Sequence, residues 1–170
     1  MTGSKAGSTN GDESSDSIVA ATMTDLDVLV DLWVELAAHQ RGEGSHLRAA
    51  PNEPVVRTVL ADHIVADEAF LARATPEGAP VGFITVSREH GPFEQDVDRG
   101  FVDALFVRPD DRGRGIGSRL LDRGEERLAT MGVETVALEV LASNVDARRL
   151  YRRHGYQPHR VELEKDLSDR

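Results

Sequence analysis

The 170-residue chain contains no cysteine. Disulfides, thiolate metal sites and a cysteine nucleophile are therefore excluded. Lysine is almost absent, represented by Lys5 and Lys165 alone, and aromatic residues make up 5%. No apolar run approaches the roughly 18 residues of a membrane-spanning helix, and no basic-then-apolar segment opens the chain. A soluble, cytoplasmic protein with no membrane partner is expected. Positive charge is also scarce, with 20 Lys and Arg against 30 Asp and Glu and a formal net charge of −10. Such an excess repels phosphodiester backbones, so a nucleic-acid partner is not expected. An acidic, arginine-over-lysine composition fits either a halophile's salt-rich cytoplasm or a cationic substrate, and charge alone does not separate the two. The six histidines show no HExxH or other paired ligand spacing, with His39, His46 and His63 far apart in the chain, and no metal is expected.

What is present is enough for one packed domain, with a hydrophobic content of 39%. Residues 1–17 are almost entirely small and polar and are expected to be a disordered tail, because they cannot offset the entropy of folding. Residues 18–170 are expected to form a single domain. An apolar strand over 18–22 precedes Thr24, read as a helix N-cap before Leu26, Leu29, Val30, Trp33 and Leu36 at helical spacing. Pro54 is read as the first-turn residue of a second helix carrying Val56, Val59, Leu60 and Ile64. Strands follow over 69–74 and 81–86, joined by a Pro- and Gly-rich connection, and over 100–107. A helix over 116–131, a strand over 133–140, a helix from Ser143 or Asn144 to about His154, and a strand over 159–163 complete the order. The strand–helix–strand unit from 100 to 140 implies a parallel pair.

The most informative stretch runs from Val107 to Ser118. A strand, a glycine-punctuated turn and a helix start gather backbone N–H groups around one small volume, which suits phosphate oxygens. Spacing selects among phosphate-binding loops. Glycines fall at Gly113, Gly115 and Gly117, and Ser118 stands where a dinucleotide fingerprint needs its third glycine. No Gly-Lys-Ser/Thr follows, so the P-loop fails as well. Basic charge also collects here: residues 112–170 hold 12 of the 20 bases and 10 of the 30 acids.

Arg112-Gly113-Arg114-Gly115-Ile116-Gly117, an arginine and two residues followed by Gly-x-Gly, resembles the pyrophosphate-binding signature of the GNAT-type N-acetyltransferases, which use acetyl-CoA. Asn144 to Tyr156, about thirty residues on, resembles that family's second signature. The resemblance implies an α/β fold with a central twisted mixed sheet of six to seven strands flanked by about four helices. It also implies that the strand before the glycine turn splays from its parallel neighbour to admit the pantetheine arm. Leu105, Phe106 and Val107 would then bind the arm through backbone groups. Arg112, Gly113, Arg114, Gly115, Ile116, Gly117 and Ser118 would hold the pyrophosphate, and Asn144 and Tyr151 would complete the cofactor site. Asn144 is equally explained as a helix cap. Arg148, Arg149, Arg152 and Arg153 either meet the nucleotide's 3′-phosphate or form a solvated basic face.

For catalysis, an alkylammonium of pKa ~10 must lose a proton before it attacks a thioester. Asp103, a carboxylate inside an apolar strand, is read as base or amine binder, or else as a structural acid, with Glu139 on the neighbouring strand as the second candidate. Tyr151 matches the family tyrosine that protonates the departing thiolate, and a core aromatic is the other reading. Direct attack in a ternary complex is expected, the acceptor being a primary amine of a small molecule. The alternatives are a protein N-terminus or lysine as acceptor, or a non-catalytic acyl-CoA-binding regulator. Glu43, Glu53, Glu89, Glu94 and Asp96 in the loops favour a cationic acceptor or are ordinary surface acids. A homodimer through the C-terminal strand or a sheet edge is compatible with the family.

Overall fold

The computed structural model of the chain describes residues 17–75, 78–91 and 95–168. The expected tail thus lies outside the described residues, except for Ser17, which opens the first strand. In chain order the elements are β1 (Ser17–Ala20), α1 (Leu26–Gly42), α2 (Ala49–Val65), β2 (Ala69–Arg73), β3 (Pro80–Arg88), β4 (Arg99–Val107), α3 (Ile116–Thr130), β5 (Thr135–Leu138) and α4 (Val145–Arg153). The five strands form one sheet in the order β1-β2-β3-β4-β5. All neighbours are antiparallel except β4 and β5, which are parallel and linked through α3 as the strand–helix–strand order predicts.

Both faces of the sheet are covered. Helices α1 and α2 bury Leu29, Leu32, Leu36, Leu60 and Ile64 against Leu71, Phe83 and Phe106. On the other face, α3 buries Ile116, Leu120, Leu121 and Leu128 against Phe70, Ile84, Val86 and Val102. Strand β3 lies under helices on both sides and is buried from Pro80 to Val86, a continuous run instead of an alternation. Gly124 lets α3 approach it closely, since a Cβ there would lie 2.6 Å from the Ile84 side chain.

Three local expectations are corrected. The cap of the first helical segment is Thr22 and not Thr24: a single 3₁₀ turn over Met23–Asp25 precedes α1, and Asp25 accepts from the Thr22 N–H (2.9 Å) and hydroxyl (2.8 Å). Pro54 lies inside α2 instead of opening it. The helix starts five residues earlier, at Ala49, because Pro51 sits in the first turn, where no N–H is needed, and Pro54 gives up a single bond one turn later. The strand over 159–163 is not formed, so among the described residues the sheet has five strands instead of six or seven. Val161 and Leu163 are 80% and 89% exposed. Their alternation with Glu162 and Glu164 is strand-like, but alternation makes a strand only when a neighbour accepts its hydrogen bonds.

Candidate active site

The site begins with an irregularity in β4. Thr85 of β3 pairs with Ala104, whereas the next residue, Val86, pairs with Val102, so Asp103 is an extra residue in a β-bulge. A bulge bends its strand and re-aims a side chain. Here Val102 stays on the α3 face, while the Asp103 carboxylate lies beside His63 of α2 and accepts the Ser87 hydroxyl at 2.9 Å. The bulge therefore places a carboxylate on the face covered by α1 and α2.

Immediately beyond it the sheet forks. Strand β5 pairs with β4 over four rungs, the last being Val102 with Leu138, and then ends. Strand β4 continues to Val107, held on one edge by Ile84, Phe83 and Gly82, with no strand on the other edge among the described residues. Antiparallel alternation turns the Phe106 N–H and carbonyl to Phe83, so Leu105 and Val107, and not Phe106 as expected, direct backbone groups to the gap, where the Val107 carbonyl accepts from Arg112. Glu139 directly follows the last rung on the β5 side and is exposed, past the end of a strand shorter than expected. Asp103 and Glu139 flank the mouth of the fork.

The turn after β4 leads to the N-terminus of α3. Gly113 and Gly115 have φ of +78° and +77°, a left-handed conformation that disfavours a side chain, and a Cβ at either would meet nothing within 4 Å. The space over the turn is open. The first intrahelical bond runs from the Arg119 N–H to the Gly115 carbonyl at 3.1 Å, so the amides of Ile116, Gly117 and Ser118 precede the helical ladder. Ile116 anchors the turn with a fully buried side chain. These amides and the helix dipole fit the oxygens of a pyrophosphate. The arginines are arranged differently from a simple cationic clamp. Arg112 donates its Nε–H to the Val107 carbonyl (2.9 Å), lies over the Phe106 ring and sits 3.4 Å from His39, while Arg114 pairs with Asp111 at 2.9 Å.

Helix α4 closes the other side. Asn144 caps it, its Oδ1 accepting the Ala147 N–H at 3.0 Å, so the capping reading is realised by the carbonyl end of the amide. Leu150 lies beside Gly117, where a Cβ would come within 3.4 Å of it, which brings α4 against the opening turn of α3. Tyr151 follows, its ring edge-on to Tyr156 at 5.8 Å. Burial pushes the Tyr151 phenol up to about 12, so it carries its proton throughout the physiological range. Tyr156 donates to Glu125 at 2.8 Å, and burial together with that bond raises its phenol as well. Arg148 donates to the Ala142 carbonyl at 2.9 Å and Arg149 pairs with Asp146 at 3.8 Å, while Arg152 and Arg153 are exposed.

Burial is the largest influence on Asp103 and raises its carboxyl, against the lowering effects of the Ser87 hydroxyl and of His63. Sequence reasoning weighed His63 only as a metal ligand and did not single out Glu68 or Ser87, which the fold gathers here with it from a helix, a turn and a strand. His63 and Glu68 are five residues apart, but no local spacing links either to Ser87 or Asp103. Asp122, Glu125 and His154 form a further group whose ligand atoms lie within 4.8 Å of one another. Glu125 is engaged by Tyr156, and His154 faces Asp122 at 3.4 Å, so these contacts act as a tether between α3 and α4. Among the described residues no helix is long and apolar enough to cross a membrane.

The family model for the GNAT acetyltransferases matches residues 33–156. A mycothiol acetyltransferase of Clavibacter michiganensis subsp. michiganensis is 36% identical over 138 residues, 79% of this chain and 41% of that protein. The chain thus spans less than half the length of this curated relative. A GCN5-related N-acetyltransferase from Ralstonia eutropha JMP134 superposes with a TM-score of 0.68 at 25% identity, over 90% of this chain and 99% of that one. An aminoglycoside N-acetyltransferase solved in complex with CoA shares the fold, with a TM-score of 0.68 at 18% identity over 89% of this chain and 95% of that one. With the forked sheet, the glycine-opened helix and a family match over most of the domain, the chain belongs to the GNAT acetyltransferase family.

Proposed function

We propose that the protein transfers an acetyl group from acetyl-CoA to a primary amine of a small molecule by direct attack in a ternary complex. The observation that carries this reading is the gap between β4 and β5 ending beside the open N-terminus of α3. Backbone groups of Leu105 and the N–H of Val107 would take the pantetheine amides as an added strand does. The amides of residues 113–118 would take the pyrophosphate, with Arg114 adding charge. Asn144 and Tyr151 would border the thioester from α4. Acetyl-CoA, when bound, supplies an activated acyl carbon next to the bulge.

The chemistry assigned to this chain is proton management. An ammonium must lose one proton before its nitrogen bonds to the acyl carbon, and Asp103 would take it, its raised carboxyl making it a stronger base than an exposed aspartate. When the C–S bond breaks, Tyr151 gives its proton to sulfur and regains one from the nitrogen. The balance is one amide, one thiol and one proton released. Asp103, Glu139 and the nearby Glu68 favour a cationic acceptor by local field.

The test is calorimetric titration with acetyl-CoA, followed by thiol release in the presence of 1,4-diaminobutane, an amino-acid amide and a deoxystreptamine aminoglycoside. Micromolar binding with turnover of at least one amine is expected. Binding without turnover of any amine, but with acetylation of a peptide N-terminus or lysine, would move the acceptor to protein. Binding with no acceptor at all would leave an acyl-CoA-binding regulator.

A further inference from the structure

His63 lies in the last turn of α2, with its side chain 12% exposed and both ring nitrogens facing carboxylates. Its Nδ1 is buried without a hydrogen-bond partner, 3.4 Å from the Glu68 carboxylate. Its Nε2 is 3.9 Å from Oδ2 of Asp103, whose other oxygen, Oδ1, accepts the Ser87 hydroxyl. Backbone bonds hold Glu68 in place: its N–H donates to the His63 carbonyl at 2.8 Å, and its carbonyl accepts from Val86 at 3.0 Å. The charged groups facing the ring are therefore Glu68 from the turn after α2 and Asp103 from β4, while β3 contributes the neutral Ser87.

A histidine serving only to fill the core would have its buried ring nitrogens hydrogen-bonded. This ring instead spans two carboxylates at distances too long for full bonds and too short for an intervening water. Catalytic hydrogen bonds are often long before the substrate is in place and tighten in the complex. An imidazole is also the side chain best suited to pass a proton near neutral pH.

We infer that His63 is a positioning and relay residue for the acetyl transfer, carrying the acceptor's proton from Asp103 to Glu68. The inference rests on the transferase reading above. An N–H bond of the ammonium breaks and the proton goes to Oδ2 of Asp103. The ring, neutral with its proton on Nδ1, accepts that proton at Nε2 and releases the Nδ1 proton to Glu68, so one proton crosses and the ring's own count is unchanged; exchange of the ring proton with solvent restores the starting tautomer before the next cycle. Glu68, 16% exposed, passes it to solvent. Asp103 returns to its carboxylate form for the next cycle.

The relay makes a signed prediction. The electrostatic effect of His63 lowers the Asp103 carboxyl and that of Glu68 raises it. In His63→Gln the acid limb of the kcat profile therefore moves to higher pH, and in Glu68→Gln to lower pH. Both variants keep the acetyl-CoA Kd within about twofold and lose about tenfold in kcat, below the 10²- to 10⁴-fold typical of removing a direct acid or base. The profile is measured as thiol release from acetyl-CoA with the fastest amine of the panel. In parallel, NMR titration of the His63 Cε1–H in the wild type should show a step belonging to Asp103 that Asp103→Asn erases. Equal losses in the two variants with no displacement of the limb, or a His63 resonance blind to Asp103, would overturn the relay and leave transfer intact. No thiol release by the wild type with any amine would remove the transferase reading and the relay together.

Discussion

The sheet with α1, α2 and α3 is built unlike the α4 and C-terminal region. In the first, β2 and β3 are almost wholly buried, and Phe83, Leu120, Leu121 and Leu128 are fully buried. In the second, α4 has no buried residue and residues 157–168 are exposed throughout. What holds α4 is a short set of contacts: Leu150 beside Gly117, Tyr151 against Tyr156, Tyr156 to Glu125, and His154 facing Asp122. The proposed site lies on the seam between the two. Its cradle and base belong to the packed body, and its proton donor to the lightly held helix. Damage to the body should therefore appear first as lost folding, and damage to α4 as lost turnover.

The largest expected effect is in the body. Leu121→Ala removes a fully buried side chain between α3 and the sheet and should cost about 3–5 kcal/mol in denaturant unfolding. A cost below about 1 kcal/mol would break the contrast. Tyr151→Phe should leave the unfolding midpoint nearly unchanged while lowering kcat by roughly 10²-fold. A matching loss of stability would make Tyr151 a core residue instead.

Gly115→Val tests the cradle. It forces a β-branched residue to adopt a φ of +77° and places methyl groups in the open space over the turn. Acetyl-CoA affinity should fall by about tenfold or more, read calorimetrically, because strain of about 1–3 kcal/mol and a steric block act together. Asp103→Asn gives the smallest effect on folding, with a definite sign. A carboxyl raised in the folded state stabilises the fold below the ordinary carboxylate range, and that contribution is lost as pH rises through the raised value. The variant should therefore melt slightly above the wild type at pH 7, lose that advantage below about pH 4, and lose turnover at both. A lower melting temperature at pH 7 would make Asp103 a structural acid.

Legibility followed the range of the interactions. The glycine turn, the Asn144 cap and the strand–helix–strand order depend on residues within one or two turns of each other, and these expectations agree with the structure. Element ends were less legible. Pro54 looked like a helix start because the cost of an interior proline is local, whereas the packing of Val56, Leu60 and Ile64 that outweighs it is not. The strand over 159–163 had the alternation of a strand but not the partner. Within the site, the Leu105–Val107 stretch and the Gly113–Ser118 turn could be named from the sequence, while the side chains meeting Asp103 could not.

By itself the sequence determined which segments are apolar with which period, where the chain turns and where a phosphate would find free amides, since each depends on backbone preferences and neighbours a few residues away. Tertiary structure alone decided that β5 stops after Leu138 and leaves the fork open, that a bulge turns Asp103 toward α2, and that His63, Glu68 and Ser87 meet there. The physical reason is that register and bulges are settled by which strands pair and which faces are buried. That competition is decided between segments far apart in the chain.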